Sequence, residues 1–244
     1  MSSTVIKDIK IAVIGGAGLE GRAIASELAA SGYKVYIGSR NLFRAQEAAQ
    51  KIAKTRGLNE ERVIGATNVE AAKAADLVFL TIPYEALKDT LDQLAQHLID
   101  KHIVDVIVPY KLRSPMLLNT RQLDRYRSHF GPGKSPSVTE EIYLYLQEAT
   151  QRRPHITAAL KTLSYKTLAL SKNMKEPILT WGYNSEDMQI LLSILRQVFP
   201  NAELVEVPQM YWRSVEGVCE LIRFLTLQGV KIEALNFSYS QSKQ

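Results

Sequence analysis

An apolar run, a glycine-rich turn and an amphipathic segment follow one another at the start of this chain. The run from Ile9 to Ile14 leads into Gly15-Gly-Ala-Gly-Leu-Glu-Gly21, after which apolar residues recur at helical spacing. This order predicts a strand, a tight turn and a helix that begins near Gly18. Glycines let the backbone approach a ligand closely, and the free N–H groups and dipole at a helix N-terminus attract anions. The pattern therefore predicts a pyrophosphate site and a dinucleotide-binding fold.

The end of the second predicted strand indicates which dinucleotide is bound. An NAD site usually has an acidic residue here, about 20 residues after the glycine turn, to bind the ribose 2′-hydroxyl. This chain has Ser39 and Arg40 instead, and Arg44 lies one turn further on if Asn41 caps the next helix. A guanidinium group can bind phosphate oxygens in a planar fork. These residues favour NADP(H) over NAD(H).

Strand and helix patterns alternate five times up to residue 109. Near-continuous apolar runs at 76–83 and 102–109 are typical of strands that are buried on both faces of a parallel sheet. The alternation predicts an α/β fold with a doubly wound parallel sheet of the Rossmann type. Ligands of such sheets bind at the carboxyl ends of the strands, where Thr81, Ile82 and Pro83 follow the fourth strand.

The chain after residue 109 departs from this rhythm. We predict an NADP-binding Rossmann domain over residues 1–160, with a loop-rich excursion at about 110–137 that contains several prolines and glycines. Residues 161–244 are predicted to form a smaller C-terminal region that caps the substrate and completes the cleft. An apolar helix at 210–229 in that region is a candidate interface for a homodimer.

Composition excludes several classes of function. The 244 residues are 46% hydrophobic and 23% charged, as expected of a globular protein with a sizeable core. No apolar run approaches the ~18 residues of a membrane span, and the polar start lacks the features of a signal peptide. We therefore expect a cytoplasmic protein without a membrane partner. The single cysteine, Cys219, and the four scattered histidines show no metal-ligand spacing, so no metal site is predicted.

Basic residues are concentrated in the middle of the chain. The net charge is +5, and residues 111–172 contain eleven lysines and arginines against four acidic residues. The segment shows no nucleic-acid-binding motif, so a nucleic-acid partner is not expected. A site for an anionic small molecule and a plain solvated surface both stay open.

The candidate cofactor-binding residues fall into three groups. They are Gly15, Gly16, Ala17, Gly18, Leu19, Glu20 and Gly21 in the turn, Ser39, Arg40 and Arg44 after the second strand, and Thr81, Ile82 and Pro83 after the fourth.

Five short segments resemble one known family in their order along the chain. These are Ile11-Ala-Val-Ile-Gly-Gly-Ala-Gly, Ile37-Gly-Ser-Arg, Leu80-Thr-Ile-Pro-Tyr-Glu, Ala158-Ala-Leu-Lys-Thr and Arg213-Ser-Val-Glu. The sequence resembles NADPH-dependent reductases of the deazaflavin coenzyme F-420, most strongly in its first 110 residues. The resemblance implies an oxidoreductase that transfers hydride between NADP(H) and coenzyme F-420, its small-molecule redox co-substrate, with the two rings stacked in one cleft.

The resemblance also implies the catalytic candidates, Lys161 and Thr162. Where the family usually has histidine before threonine, this chain has Lys161, whose cation could stabilise the negative charge that hydride arrival leaves on the deazaflavin. The basic excursion, together with Arg152 and Arg153, is a candidate site for the acidic tail of that coenzyme.

Two alternatives remain open from the sequence. One is an NADPH-dependent reductase of another small acceptor, such as a flavin, quinone or imine. The other is a non-catalytic module that senses NADP(H) or acts as a scaffold, because Lys161 is the only clear candidate for acid–base chemistry.

Overall fold

The strands form one sheet whose order is that of a Rossmann fold with two additional strands. The computed structural model describes residues 8–109, 117–131, 134–169 and 173–227. The described strands, in chain order, are β1 (Lys10–Ile14), β2 (Lys34–Ser39), β3 (Val63–Thr67), β4 (Leu77–Leu80), β5 (His102–Asp105), β6 (His155–Ala158), β7 (Ile178–Gly182) and β8 (Leu204–Glu206). Their order across the sheet is β3-β2-β1-β4-β5-β6-β7-β8. The predicted doubly wound fold is confirmed.

Helices cover both faces of this sheet. The described α-helices are α1 (Leu19–Ala30), α2 (Leu42–Arg56), α3 (Asn68–Ala74), α4 (Leu87–Leu94), α5 (Thr120–Phe130), α6 (Val138–Thr150), α7 (Tyr165–Leu168), α8 (Ser185–Val198) and α9 (Trp212–Leu227). Side chains of β1 alternate between two cores, with Ile11 and Val13 facing α1, α2 and α8, and Ala12 and Ile14 facing α3, α4 and α6. Because both faces of the sheet are buried, β4 and residues Ile11–Ile14 of β1 are apolar on both faces rather than alternating.

Local signals in the sequence fix several helix ends. Asn41 caps α2 by accepting a hydrogen bond from the N–H of Arg44, and Gly57 ends that helix in the left-handed region at φ +63°. Ser137 and Glu140 form a reciprocal capping box at the start of α6. These residues define both ends of α2 and the start of α6.

The last two strands run against the others. β1 to β6 are mutually parallel, whereas β7 pairs antiparallel with β6 through Thr157–Gly182 and Ala158–Trp181, and β8 is parallel to β7. The strands after residue 160 thus continue the sheet of the first region. The predicted division of the chain at about residue 160 stays a prediction.

The predicted loop-rich excursion contains a helix. α5 begins with a capping box between Asn119 and Gln122, and none of its residues is fully buried. Its few apolar residues, Leu123, Tyr126 and Phe130, lie among charged and polar ones between segments rich in proline and glycine, so the helix was not predicted. The rest of the excursion includes residues 110–116 and 132–133, which lie outside the described residues.

Candidate functional site

The crevice for a ligand lies between the carboxyl ends of β1 and β4. The chain leaves β1 toward β2 and β3 on one side, and later enters β4 on the other side of β1. The connecting helices consequently lie on opposite faces and leave a gap above this point of the sheet. The glycine turn follows β1 and the segment Thr81–Pro83 follows β4, so the structure brings both predicted groups to this edge.

The glycine turn bends sharply and lies against the end of β4. Gly15 has φ +82°, a backbone conformation that side chains other than glycine rarely adopt. The N–H groups of Gly15 and Gly16 both donate to the carbonyl oxygen of Gly38, each at 3.0 Å. A Cβ on Gly15 would lie 2.8 Å from Cγ2 of Ile82. The turn is therefore fixed on two sides, by β2 and by β4.

Gly21 allows α1 to sit directly on this turn. A Cβ at Gly21 would lie 2.6 Å from Oγ1 of Thr81 and 2.7 Å from Cα of Gly16. The Thr81 hydroxyl donates to the Ile14 carbonyl at 2.9 Å, so it is held in place by β1. This close contact directs the N-terminus of α1 into the crevice.

The first turn of α1 is suited to an anion. Its N-cap, Gly18, has an extended backbone and makes no side-chain capping bond. The first N–H groups of any helix have no partner within the helix, and here no capping side chain takes their place. The helix dipole adds positive potential at the same point. These are the features expected of a site for a pyrophosphate.

The predicted basic group lies next to the turn at the end of β2. Asn41 N–H donates to Oγ of Ser39 at 3.2 Å, and Asn41 Oδ1 accepts from the N–H of Arg44 at 3.1 Å. The side chains of Arg40 and Arg44 are exposed. The capping that was expected at Asn41 is confirmed, and it places Arg44 on the first turn of α2.

A buried ion cluster lies at the carboxyl ends of β5 and β6. Nζ of Lys161 lies 2.6 Å from Oδ2 of Asp105 and 2.5 Å from Oε1 of Glu216, and it donates to the Ile107 carbonyl at 2.8 Å. All three charged side chains are completely buried. We call Lys161, Asp105 and Glu216 the Lys161 cluster.

Further bonds connect the Lys161 cluster to surrounding elements. The hydroxyl of Thr139 donates to Asp105 at 2.7 Å, and the N–H of Val138 donates to Glu216 at 2.8 Å. The indole N–H of Trp181 in turn donates to the Thr139 hydroxyl at 3.0 Å. The cluster thereby joins β5, the chain after β6, the start of α6 and the middle of α9.

The cluster contains one more carboxyl group than cations, which affects its ionisation. Burial raises the pKa of Glu216 from 4.5 to about 7, with a further contribution from Asp105 and partial compensation by Lys161. Burial by itself disfavours the charged form of Lys161, yet Asp105 and Glu216 outweigh this effect and hold its pKa above the ordinary value. Lys161 therefore stays charged at neutral pH while Glu216 takes up a proton readily.

The structure separates the two catalytic candidates. Thr162 is exposed at the edge where the glycine turn lies, whereas the Lys161 side chain has no exposed surface. Asp105 and Glu216 were not singled out as functional residues from the sequence. The one available signal was Glu216 in the segment Arg213-Ser-Val-Glu. A direct role of Lys161 in catalysis stays a prediction.

The arginines proposed to receive an acidic coenzyme tail lie elsewhere. Arg152 and Arg153 precede β6, and Arg152 pairs at 3.2 Å with Asp100, which precedes β5. They thus lie at the amino ends of the parallel strands, opposite the crevice. The proposed role of Arg152 and Arg153 at the cleft is not supported by this position.

Metal binding and membrane insertion have no matching feature in the described parts of the chain. The described residues contain no group of three or more histidine, cysteine or acidic side chains that could hold a metal ion. No helix in the described ranges is long and apolar enough to cross a membrane.

The fold and the crevice define a Rossmann-type dinucleotide-binding protein, and comparison with known proteins gives its family. Residues 10–109 match the family model of coenzyme F-420-dependent NADP oxidoreductases. The chain is 43% identical over 195 residues to the F-420-dependent NADP reductase of Methanocaldococcus jannaschii, which covers 78% of this chain and 80% of that protein. The chain belongs to the family of F-420-dependent NADP reductases.

Other relatives share a smaller part of the sequence or only the fold. The F-420-dependent NADP reductase of Methanothermobacter thermautotrophicus is 43% identical over 101 residues, which span 41% of this chain and 44% of the relative. A structure from Arthrobacter sp. FB24, assigned as an F-420-dependent NADP reductase, superposes with a TM-score of 0.62 at 20% identity, over 91% of this chain and 95% of that one. An imine reductase variant from Myxococcus stipitatus gives a TM-score of 0.55 at 15% identity, over 91% and 63% of the two chains. These two structural likenesses concern the fold alone.

Proposed function

We propose that this protein transfers hydride between NADP(H) and a deazaflavin coenzyme of the F-420 type. The observation that carries the proposal is a crevice suited to a phosphorylated dinucleotide in a chain 43% identical over 195 residues to an F-420-dependent NADP reductase. The aligned part of the chain spans less than half the length of the F-420-dependent NADP reductases of Methanothermobacter thermautotrophicus and Methanothermobacter marburgensis.

The residues around the β1–β4 crevice fit the NADP half of the reaction. The N–H groups at the start of α1, from Leu19 to Gly21, would bind the pyrophosphate, since no capping side chain occupies this helix start. Arg40 and Arg44 would bind the 2′-phosphate together with the hydroxyl of Ser39. Ile82 and Pro83 would form the floor beneath the nicotinamide, next to the turn that holds the phosphates.

The other part of the cleft would hold the deazaflavin ring against the nicotinamide. The nicotinamide supplies the hydride, so the protein needs few acid–base groups and must mainly align two ring carbons about 3–3.5 Å apart and exclude water. The exposed edge at Thr162 lies on the side of the crevice where β5 and β6 end. Beneath it, the Lys161 cluster links α6 to α9, and its single ammonium group is balanced by the carboxyl groups of Asp105 and Glu216.

The direct test combines purified protein, NADPH and oxidised coenzyme F-420. We expect rapid loss of the deazaflavin absorbance, coupled one to one with oxidation of NADPH. NADPH oxidation with flavins, quinones or imines but not with the deazaflavin would instead establish a reductase of another acceptor. Tight NADPH binding without turnover of any acceptor would establish a sensing or scaffolding module.

Arg40→Ala tests the preference for the phosphorylated cofactor. The variant loses a charge-assisted bond to the 2′-phosphate, so we expect NADPH binding to weaken by on the order of 1–3 kcal/mol. This corresponds to a rise in the dissociation constant of roughly 5- to 150-fold. NADH lacks that phosphate, and its binding should scarcely change. Fluorescence titration of both cofactors measures the difference, and equal weakening of the two would assign Arg40 a structural role.

Homodimer formation through α9 remains part of the proposal. Val218, Leu221 and Phe224 on this helix are exposed in the described part of the chain, which is consistent with an interface. Sedimentation of the wild-type protein and of Leu221→Asp would test it. A monomeric wild-type protein would rule the interface out.

A further inference from the structure

A groove with a strongly basic lining separates α5 from α6, away from the crevice. The two helices run in opposite directions, since Gln122 near the start of α5 bonds to Glu148 near the end of α6, and Tyr126 bonds to Glu140. The cavity between them has a volume of about 770 Å³. This size lies within the range of about 300–1,000 Å³ that is usual for small-molecule sites. We call it the α5–α6 groove.

Four arginines line the α5–α6 groove against a single carboxylate. They are Arg121, Arg125, Arg152 and Arg153, and the carboxylate, Glu148, already accepts a bond from the Gln122 amide. Arg152 has an exposed pairing with Asp100, and within the described ranges the other three arginines form no ion pair. Neighbouring guanidinium groups repel one another, and an anion bound among them removes this repulsion. Each guanidinium group can also bind phosphate oxygens in a planar fork.

Aromatic side chains form another part of the lining. The Phe130 ring lies 4.6 Å from that of Tyr126 and 4.8 Å from that of His129, measured between centroids. Phe130 is 44% exposed, so part of this residue is accessible to a planar ligand beside the Tyr126 ring. The groove thus combines guanidinium groups with a stacking surface in one cavity.

The α5–α6 groove is separate from the proposed NADP site. Its lining comes from residues 119–130 and 144–153, and it includes none of the glycine turn, the Ser39–Arg40 pair or Thr81–Pro83. The segment between α6 and β6 belongs to the amino ends of the parallel strands, whereas the crevice lies at their carboxyl ends. A ligand in the groove would leave the crevice accessible.

We propose that the α5–α6 groove is a second binding site, for a small organic anion that carries adjacent phosphate groups and a planar ring, as nucleoside triphosphates do. The arginines bind the phosphates, and the ring stacks on Phe130. A short groove of this volume favours a small molecule over a nucleic acid, which would require a longer basic surface. The proposal is independent of the hydride-transfer function.

The test is calorimetric titration with ATP in the presence of saturating NADPH, so that the crevice is occupied. We expect binding to the wild-type protein, a rise of about tenfold or more in the dissociation constant for Arg125→Ala/Arg153→Ala, and no change for Arg196→Ala, an exposed arginine outside the groove. Arg121→Ala gives a second variant of the groove. Circular dichroism checks that every variant is folded.

Further titrations distinguish the contribution of the ring to binding from that of the phosphate groups. Phe130→Ala should weaken binding of ATP and leave binding of inorganic triphosphate unchanged, since triphosphate has no ring. The proposal is overturned if NADPH abolishes ATP binding, if the groove variants bind ATP like the wild type, or if a single-stranded oligonucleotide binds the groove more tightly than ATP does.

Discussion

Lys161→Met is expected to lower the free energy of unfolding by about 3–5 kcal/mol near pH 8. The substitution removes the only cation of the Lys161 cluster and leaves Asp105 and Glu216 buried near each other. Methionine fills a similar volume, so the loss comes from uncompensated charge rather than from a cavity. Chemical denaturation of the wild-type and variant proteins, at equal ionic strength, measures it.

The stability lost in Lys161→Met should be smaller at about pH 6 than at about pH 8, because Glu216 can take up a proton at the lower pH. The pKa of Glu216 is raised from 4.5 to about 7 in the folded protein, so the folded state binds this proton more tightly than the unfolded state does. Glu216 therefore makes the protein less stable as pH rises from 4.5 through about 7. The pKa of Lys161 is raised instead, and its contribution is present in full across this range.

His102 has the opposite dependence on pH and must be separated from this effect. Burial lowers its pKa from 6.5 to about 4, so its contribution to stability grows as pH rises through that interval. His102 is present in both the wild-type protein and the Lys161→Met variant. Its contribution therefore cancels to first order when the unfolding free energies of the two proteins are subtracted at each pH.

Two further variants distinguish the Lys161 cluster from an ordinary ion pair. Adding Glu216→Gln to Lys161→Met should recover part of the lost stability, because one of the unpaired charges disappears. Lys88→Met, which breaks the exposed pair with Asp92, should cost only about 0.3–0.5 kcal/mol. If Lys161→Met costs no more than Lys88→Met, the cluster does not hold these elements together.

The sequence predicted the local geometry around the carboxyl end of β1, namely the glycine turn and the start of α2, because its determinants are local. The glycine turn, Ser39 and Arg40, and the cap at Asn41 each depend on residues a few positions apart, and backbone sterics and capping chemistry act over that distance. The doubly wound order also follows from the alternation of strands and helices, since right-handed connections allow few topologies.

The surroundings of Lys161 could not be predicted in this way. Its partners Asp105 and Glu216 are more than 50 positions away in either direction, and only the packed fold brings them together. Lysine is rarely fully buried in proteins, and the resemblance implied a contact with the deazaflavin, so burial of this side chain was not expected. The antiparallel pairing of β7 with β6 was not predicted either. A short apolar strand carries no signal in its own sequence for the direction in which it joins a sheet.

Gly21→Ala is expected to weaken NADPH binding and the catalytic rate together, with kcat/KM falling by up to roughly 100-fold for a displacement of about 1 Å. The new Cβ would lie 2.7 Å from Cα of Gly16 and 2.8 Å from the Gly15 carbonyl oxygen, which are backbone atoms that cannot rotate away. The start of α1 must therefore move relative to the turn, which displaces the N–H groups proposed to bind the pyrophosphate. Overpacking of this kind should also cost about 1–3 kcal/mol of stability.

Gly217→Ala is the matched control for that substitution. Gly217 also lies inside a helix, α9, but its Cβ would meet only the end of the Arg213 side chain, at 3.8 Å. Alanine there should add up to about 1 kcal/mol of helix stability, since it favours the helical backbone more than glycine does. Titration with NADPH and thermal unfolding of both variants distinguish the contact at Gly21 from helix propensity alone. Unchanged NADPH affinity in Gly21→Ala would show that the packing of α1 on the turn does not position the phosphate-binding groups.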